Sequence, residues 1–139
     1  RPNDLNMLEG MLKRNRLKGG TAAVIVEPVG PESGTRPVAM DYNKGVRQLC
    51  DKYGALFIFD EVVTGFRIAI SGAQGFFDVV PDLTVFGKIV AGGYPAAGGV
   101  GGKKVYSSWQ QAWQRESTAP MWAERWLPIL SLLWQDILP

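Results

Sequence analysis

The sequence predicts an α/β fold with a mainly parallel sheet and crossover helices. Apolar runs of strand length occupy residues 21–26, 55–59 and 83–86, and a helical pattern separates the first two. Parallel strands require such long connections, because a tight turn joins only antiparallel neighbours. With 46% hydrophobic residues among 139, the chain can bury the core of about one domain.

The first helix is predicted at residues 4–16. Asp4 suits its amino end as a cap, and the glycine pair at residues 19–20 ends it. The apolar face of this helix comprises Leu5, Leu8 and Leu12. The next segment, residues 21–26, is apolar almost throughout, which predicts a strand buried on both faces of a parallel sheet.

Asp41 is predicted to cap the second helix, which runs to about residue 53, where Gly54 ends it. Helical spacing places Cys50 on its packed side, so we expect a buried thiol. The second strand follows at residues 55–59. Together these segments form a β-α-β unit, for which a right-handed crossover is expected.

The remaining segments are shorter or less regular. Residues 29–37 are rich in proline and glycine and are predicted to form a loop. Residues 61–80 show little periodicity and are predicted to be a long loop, a length that is usually functional. A short strand is predicted at residues 83–86, and residues 98–101 are a candidate for another.

Two charged residues follow neighbouring predicted strands. Asp60 comes directly after the second strand, and Lys88 follows the third. Ligands of open α/β sheets bind beyond the carboxyl ends of the strands, so both side chains are expected at one edge. A carboxylate there can keep a ring nitrogen protonated, and a lysine can attack a carbonyl, as pyridoxal phosphate (PLP) enzymes require. Spacing alone leaves open the alternative of a turn-capping aspartate and a solvated surface lysine.

Four motifs occur in order around these two residues. They are Val-Ile-Val-Glu-Pro-Val-Gly at 24–30, Leu-Cys-Asp-Lys-Tyr-Gly-Ala at 49–55, Asp-Glu-Val-Val-Thr-Gly-Phe-Arg at 60–67 and Pro-Asp-Leu-Thr-Val-Phe-Gly-Lys at 81–88. In this order and spacing the chain resembles class III PLP-dependent aminotransferases (transaminases), most of all the glutamate-1-semialdehyde 2,1-aminomutase-like branch. The resemblance covers residues 21–104, and more weakly extends back to residue 4. It implies a partial large domain of PLP fold type I.

The resemblance also implies roles for individual residues. Lys88 would form the Schiff base with PLP and then move a proton between two carbons, while Asp60 would pair with the pyridine nitrogen. Val62 would pack on one face of the ring. Glu32 stands where the aminomutases usually have asparagine, which leaves the role of its loop and the substrate open. Glu27, which follows a strand, is equally well explained as a structural carboxylate.

The implied function is amino-group transfer or a 2,1-amino shift on small-molecule amino donors and acceptors, in a cytoplasmic homodimer. The chain opens at Arg1 without methionine, which is typical of an internal fragment. The family's phosphate-binding loop and small domain are not among these residues, so we expect the isolated chain to be inactive. One alternative is a non-catalytic truncated product that only associates with a full-length relative. An unrelated lysine-dependent lyase would leave the position of Asp60 a coincidence.

Composition argues against several other classes of protein. With no histidine and one cysteine, the chain is poorly suited to a transition-metal site or a disulfide framework. A net charge of +2 without a basic run does not indicate nucleic-acid binding. The apolar run at residues 126–138 is too short to span a membrane.

The composition changes abruptly after Lys104. All five tryptophans follow that residue, and the resemblance stops there. A shifted reading frame can spell His-Val-Gly-Gly-Thr, Ala-Asn-Pro-Leu-Ser and Ala-Gly-Tyr, which is similar to the segment after the lysine in this family. The sequence therefore predicts two regions: residues 1–104, a fragment of the PLP-binding large domain, and residues 105–139, a frameshifted tail that packs poorly. Natural divergence of the tail is the alternative.

Overall fold

Helix α1 spans Leu5–Arg16 in the computed structural model, which describes residues 2–102, 105 and 107. Asp4 caps it as predicted, because its Oδ1 accepts a hydrogen bond from the Met7 backbone N–H at 2.8 Å. Leu12 is buried on the helix face that the sequence pattern predicts. The helix therefore docks through its leucine face.

The first strand, β1, spans Ala23–Val26, and a four-residue helix, α2 (Pro31–Gly34), lies inside the loop predicted at residues 29–37. Helix α3 follows at Tyr42–Tyr53. Gly54 ends α3 in the left-handed conformation, with φ of 70°. The predicted bounds of this second long helix are confirmed, and Asp41 occupies the N-cap position, but its side chain makes no capping hydrogen bond.

The sheet contains β1 and three further strands, β2 (Leu56–Asp60), β3 (Leu83–Phe86) and β4 (Gly98–Gly101). Their order in the sheet is β1-β2-β3-β4. The first three strands are parallel and β4 is antiparallel to β3, which confirms a mainly parallel sheet. Because Val26 pairs with Phe59, and Asp60 with Val85, the carboxyl ends of the parallel strands share one edge.

The core lies between one face of the sheet and the helices. Phe57 and Phe59 of β2 are fully buried there and contact each other edge to face, with ring centroids 4.9 Å apart. Helix α3 contributes Val46 and Cys50 to the same cluster. The prediction of a buried thiol at Cys50 is confirmed, and burial raises its pKa to about 11.

Burial of the first strand differs from the prediction. Residues 21–26 were expected to be covered on both faces, whereas β1 alternates between exposed and half-buried residues, and Ile25 is 58% exposed. The reason is positional. β1 is the outer strand of the described sheet, and Ile25 points away from the helix-covered face because side chains alternate along a strand.

The loop predicted at residues 61–80 is also corrected, because it contains helix α4 at Gly72–Phe77. Six residues with two glycines carry too little periodicity to reveal a helix. Tertiary contacts form it instead, since Ala73 and Phe77 are buried in the core cluster. Turns occupy residues 62–67 before it.

Within residues 2–102, no helix is both long and apolar enough to cross a membrane. Apart from residues 105 and 107, the predicted tail at 105–139 lies outside the described residues. The division of the chain near residue 104 and the poor packing of the tail therefore stay predictions.

Candidate active site

Asp60 is the last residue of β2 and is half-buried at the carboxyl edge of the sheet. Its Oδ1 accepts a hydrogen bond from the backbone N–H of Val62 at 3.1 Å. This bond turns the chain directly after the strand and orients the carboxylate. Asp60 is in register with Val85 of the neighbouring parallel strand. The carboxylate thus sits beside the segment that leads to Lys88.

Lys88 is exposed and opens a 3₁₀ turn, Lys88–Ala91, directly after the buried residue Gly87. Its φ is 46°, in the left-handed region that residues other than glycine seldom adopt. Such backbone strain persists only where the surrounding structure holds it, and it clusters at functional sites. The Val90 N–H donates to the Gly87 carbonyl at 3.2 Å and closes the turn. Lys88 is therefore presented on a short, constrained turn.

Val62 brings the Asp60 turn against the Lys88 turn. A Cβ on Gly87 would lie only 3.1 Å from Val62 Cγ1, so the valine side chain covers the backbone that precedes Lys88. The N–H of Glu61 donates to the Val85 carbonyl at 2.9 Å and joins the same two segments. Asp60, Val62 and Lys88 consequently share one edge of the sheet.

The three residues offer the groups that a pyridoxal-type cofactor needs. Lys88 has an amine for a carbonyl carbon, Asp60 a carboxylate for a protonated ring nitrogen, and Val62 a branched apolar surface for a ring face. The functional groups of the three residues therefore fit this cofactor. In the described part of the chain, no ion pair joins Asp60 to Lys88.

The loop after β1 approaches the same edge, since Glu27 directly follows the residue paired with Phe59. The Glu27 carboxylate accepts backbone N–H groups from Glu32 at 3.2 Å and from Ser33 at 2.9 Å. Both donor residues are left-handed, with φ of 55° and 62°. Glu27 therefore has a structural role, because its carboxylate holds a strained turn. The Glu32 side chain is exposed and accepts a hydrogen bond from Thr35 at 3.3 Å.

Glu61 is a buried carboxylate for which the sequence alone predicts no role. It is 2% exposed, and its Oε2 accepts hydrogen bonds from the Ala73 N–H at 2.8 Å and from Thr64 Oγ1 at 3.3 Å. Burial raises the pKa of this carboxyl. One sequence signal could have indicated it, namely a threonine three residues beyond a glutamate at the end of a strand.

Metal binding receives no support within residues 2–102, where no cluster of three or more histidine, cysteine, aspartate or glutamate residues could hold an ion.

Comparison with known proteins gives consistent matches. The profile of the family described as Aminotransferase class-III matches residues 4–118. Glutamate-1-semialdehyde 2,1-aminomutase 2 of Lachnoclostridium phytofermentans is 47% identical over 102 residues, which are 73% of this chain and 23% of the relative. The chain thus spans about a quarter of the length of such relatives.

Solved structures agree with the sequence matches. A glutamate-1-semialdehyde aminomutase from Pseudomonas aeruginosa PAO1, in complex with PMP, superposes with a TM-score of 0.67 at 31% identity, covering 76% of this chain and 22% of that one. An omega-transaminase from Sphaerobacter thermophilus gives 0.68 at 33% identity, with coverages of 76% and 24%. The predicted fold, part of the large domain of PLP fold type I, is confirmed.

Proposed function

The chain belongs to the class-III aminotransferase family, whose enzymes depend on PLP, and we propose that it supplies the lysine and aspartate of a PLP site. In this proposal the reaction is amino-group transfer or the related 2,1-amino shift. The proposal includes a small-molecule amino donor and acceptor and a cytoplasmic setting. The family resemblance implies a homodimer for the full-length enzyme, and the proposal does not extend it to this fragment alone.

Each of the three site residues has a distinct task in this proposal. Bound PLP supplies an electron sink that stabilises negative charge on the carbon next to the substrate amino group. The Lys88 amine would hold the cofactor covalently and, once released, would move a proton between the substrate carbon that bears the amino group and the cofactor carbon that was bonded to the lysine nitrogen. Asp60 keeps the proton on the ring nitrogen, and Val62 contacts the ring face. These interactions accelerate the chemical step only where they stabilise the transition state more than the bound substrate.

The observation that carries the proposal is the junction of the β2 and β3 ends. Asp60 is in register with Val85, and the Val62 side chain lies 3.1 Å from where a Cβ of Gly87 would be. A carboxylate and an amine are thereby held at the carboxyl edge of adjacent parallel strands, where ligands of open α/β sheets bind. The left-handed backbone at Lys88 adds support, because strain of this kind marks functional turns.

The chain alone is proposed to have little or no catalytic activity. The family's phosphate-binding loop is not among these residues, and without that anchor most of the orientation of the cofactor is lost. Covalent capture of PLP by Lys88 is therefore a more direct test than turnover.

The first experiment locates that covalent bond. The chain is mixed with PLP, reduced with borohydride, digested and mapped by mass spectrometry. We expect the label at Lys88, and its loss in Lys88→Ala. Lys44→Ala is the matched control, because Lys44 is a surface lysine paired with Asp78 at 3.1 Å. Label spread evenly over the surface lysines, or retained in Lys88→Ala, contradicts the proposal and leaves the non-catalytic alternative.

The second experiment tests the aspartate. Asp60→Asn preserves the shape of the side chain and an acceptor for the Val62 N–H, but removes the charge. A hydrogen bond to a charged group contributes about 1.5–3 kcal/mol, so we expect the dissociation constant for PLP to rise about tenfold or more. Asp78→Asn, on the exposed surface, is the control. Equal PLP affinity of wild type and Asp60→Asn would remove Asp60 from the site.

A further inference from the structure

Glu61 ties together a turn and a helix that are separated in sequence. Its buried carboxylate accepts the Ala73 N–H from helix α4 at 2.8 Å and the Thr64 hydroxyl at 3.3 Å. Its carbonyl accepts the Gly65 N–H at 3.0 Å. Glu61 thus joins the two ends of the 61–73 segment through hydrogen bonds made within that segment.

The closed segment packs against the end of β3. A Cβ on Gly65 would lie 2.6 Å from Phe86 Cδ1, so the backbone of the turn rests on the phenylalanine ring. The Phe66 ring lies on Phe86 with centroids 5.3 Å apart. Val62 covers Gly87, one residue further along. The turn therefore contacts both residues that precede Lys88.

These contacts reach the strained part of the site. Lys88 keeps a left-handed backbone with φ of 46°, which requires support from its surroundings. The contacts between the 61–73 segment and Phe86 and Gly87 supply such support on the side where the chain enters Lys88. Loosening the segment would free the turn that carries the amine.

We infer that Glu61 is a positioning residue: its carboxylate braces the 61–73 segment, and the braced segment holds the Lys88 turn in place. The functional meaning of this brace rests on the proposed role of Lys88. Within residues 2–102 no cation pairs with Glu61, so its partners are the hydrogen-bond donors of the segment. A buried carboxylate without a counter-ion lowers stability, which is consistent with a positional role.

Amide hydrogen exchange, measured by NMR, tests whether Glu61 holds the Lys88 turn in place. The reporters are the N–H groups of Val90 and Gly92, which donate to the carbonyls of Gly87 and Ile89 in the Lys88 turn. In Glu61→Ala we expect both to exchange about fivefold faster or more, relative to the Leu56 N–H of the sheet. Glu61→Gln should stay within about twofold of wild type, because its amide oxygen still accepts from Ala73.

The matched control is Asp4→Ala, which removes another carboxylate that accepts an N–H in a helix first turn. It should leave the exchange of Val90 and Gly92 unchanged. If Glu61→Ala accelerates exchange at Ala73 but not at these two amides, the brace ends within its own segment and the inference is overturned.

A second variant covers the case in which Glu61→Ala unfolds the chain and accelerates the Leu56 amide equally. Thr64→Val keeps the volume of the side chain and removes one of the two donors to Glu61. We expect about two- to fivefold faster exchange at Val90 and Gly92, with Leu56 unchanged. No acceleration at these amides also overturns the inference.

Trapping of PLP with borohydride separates this inference from the proposed function. Incorporation at Lys88 should slow about fivefold or more in Glu61→Ala and also in Glu61→Met, which keeps the volume of the side chain without an acceptor, and it should recover in Glu61→Gln, which keeps the acceptor. Equal rates in wild type and Glu61→Ala count against the positioning role. If the wild-type chain takes no label at Lys88, the proposed function fails, while the exchange rates still decide whether Glu61 braces the turn.

Discussion

Substituting Gly65 with alanine adds one methyl group at the most crowded point of the candidate site. The new Cβ would lie 2.6 Å from Phe86 Cδ1 and 2.9 Å from the Glu61 carbonyl oxygen. That oxygen is backbone and already accepts the Gly65 N–H at 3.0 Å, so it cannot move aside. The Phe86 ring must shift instead, and with it the face on which Phe66 packs.

The expected change in the free energy of unfolding is the difference between two opposing contributions. Forcing a methyl group into a packed site costs about 1–3 kcal/mol. Replacing glycine with alanine recovers about 0.4–1 kcal/mol by reducing the conformational freedom of the unfolded chain. The net loss expected for Gly65→Ala is therefore about 1–2 kcal/mol. With an m-value of about 1.5 kcal/mol/M, the urea midpoint falls by about 1 M.

Urea unfolding followed by far-ultraviolet circular dichroism measures this shift. Gly98→Ala is the matched control, because no atom lies within 4 Å of its added Cβ and its midpoint should not fall. A Gly65→Ala midpoint equal to that of wild type would refute the packing of this turn on Phe86. A changed m-value would indicate an altered unfolded state instead.

Three further predictions concern other groups of the protein. Asp82→Ala removes the acceptor of Arg47 Nη1 and of the Phe57 N–H, each at 2.7 Å, and should cost about 1–3 kcal/mol in urea unfolding; an unchanged midpoint would mean that water replaces both bonds. Burial raises the folded-state pKa of Glu61 above its unfolded value, so the unfolding free energy of wild type should fall relative to Glu61→Gln as pH rises from about 4; a constant difference between the two contradicts this. With its pKa raised to about 11, the Cys50 thiol should react with a thiol reagent at pH 8 about a hundredfold more slowly in the folded than in the urea-unfolded chain, and equal rates would contradict its burial.

Local signals in the sequence were sufficient for the two long helices and for the positions of the strands along the chain. The Asp4 cap and the glycine at position 54 set helix ends that the structure reproduces, because capping depends on residues a few positions apart. Strand β3 lies at the predicted residues 83–86. The parallel arrangement also followed from the sequence, since long connections between apolar runs exclude hairpins.

Features that depend on long-range packing were mispredicted or missed. An apolar run does not reveal whether its strand lies inside the sheet or at its side, so the exposure of Ile25 was not foreseen. Helix α4 was assigned to a loop, because its six residues are held by the core and by Glu61 rather than by their own pattern. The antiparallel pairing of β4 with β3 likewise emerged only from the fold.

The candidate site likewise combines features that the local sequence determines with features that depend on tertiary packing. The sequence alone determined that Asp60 and Lys88 each lie at or just beyond the carboxyl end of a strand, and parallel strands bring such positions to one edge. Only the tertiary structure decided that the Val62 side chain covers Gly87 and that the Glu61 carboxylate is buried. The alternation of side chains along a strand and the capping of a helix depend on residues a few positions apart in the sequence. Close packing and burial of a charge depend on which distant segments meet, and no local pattern records that.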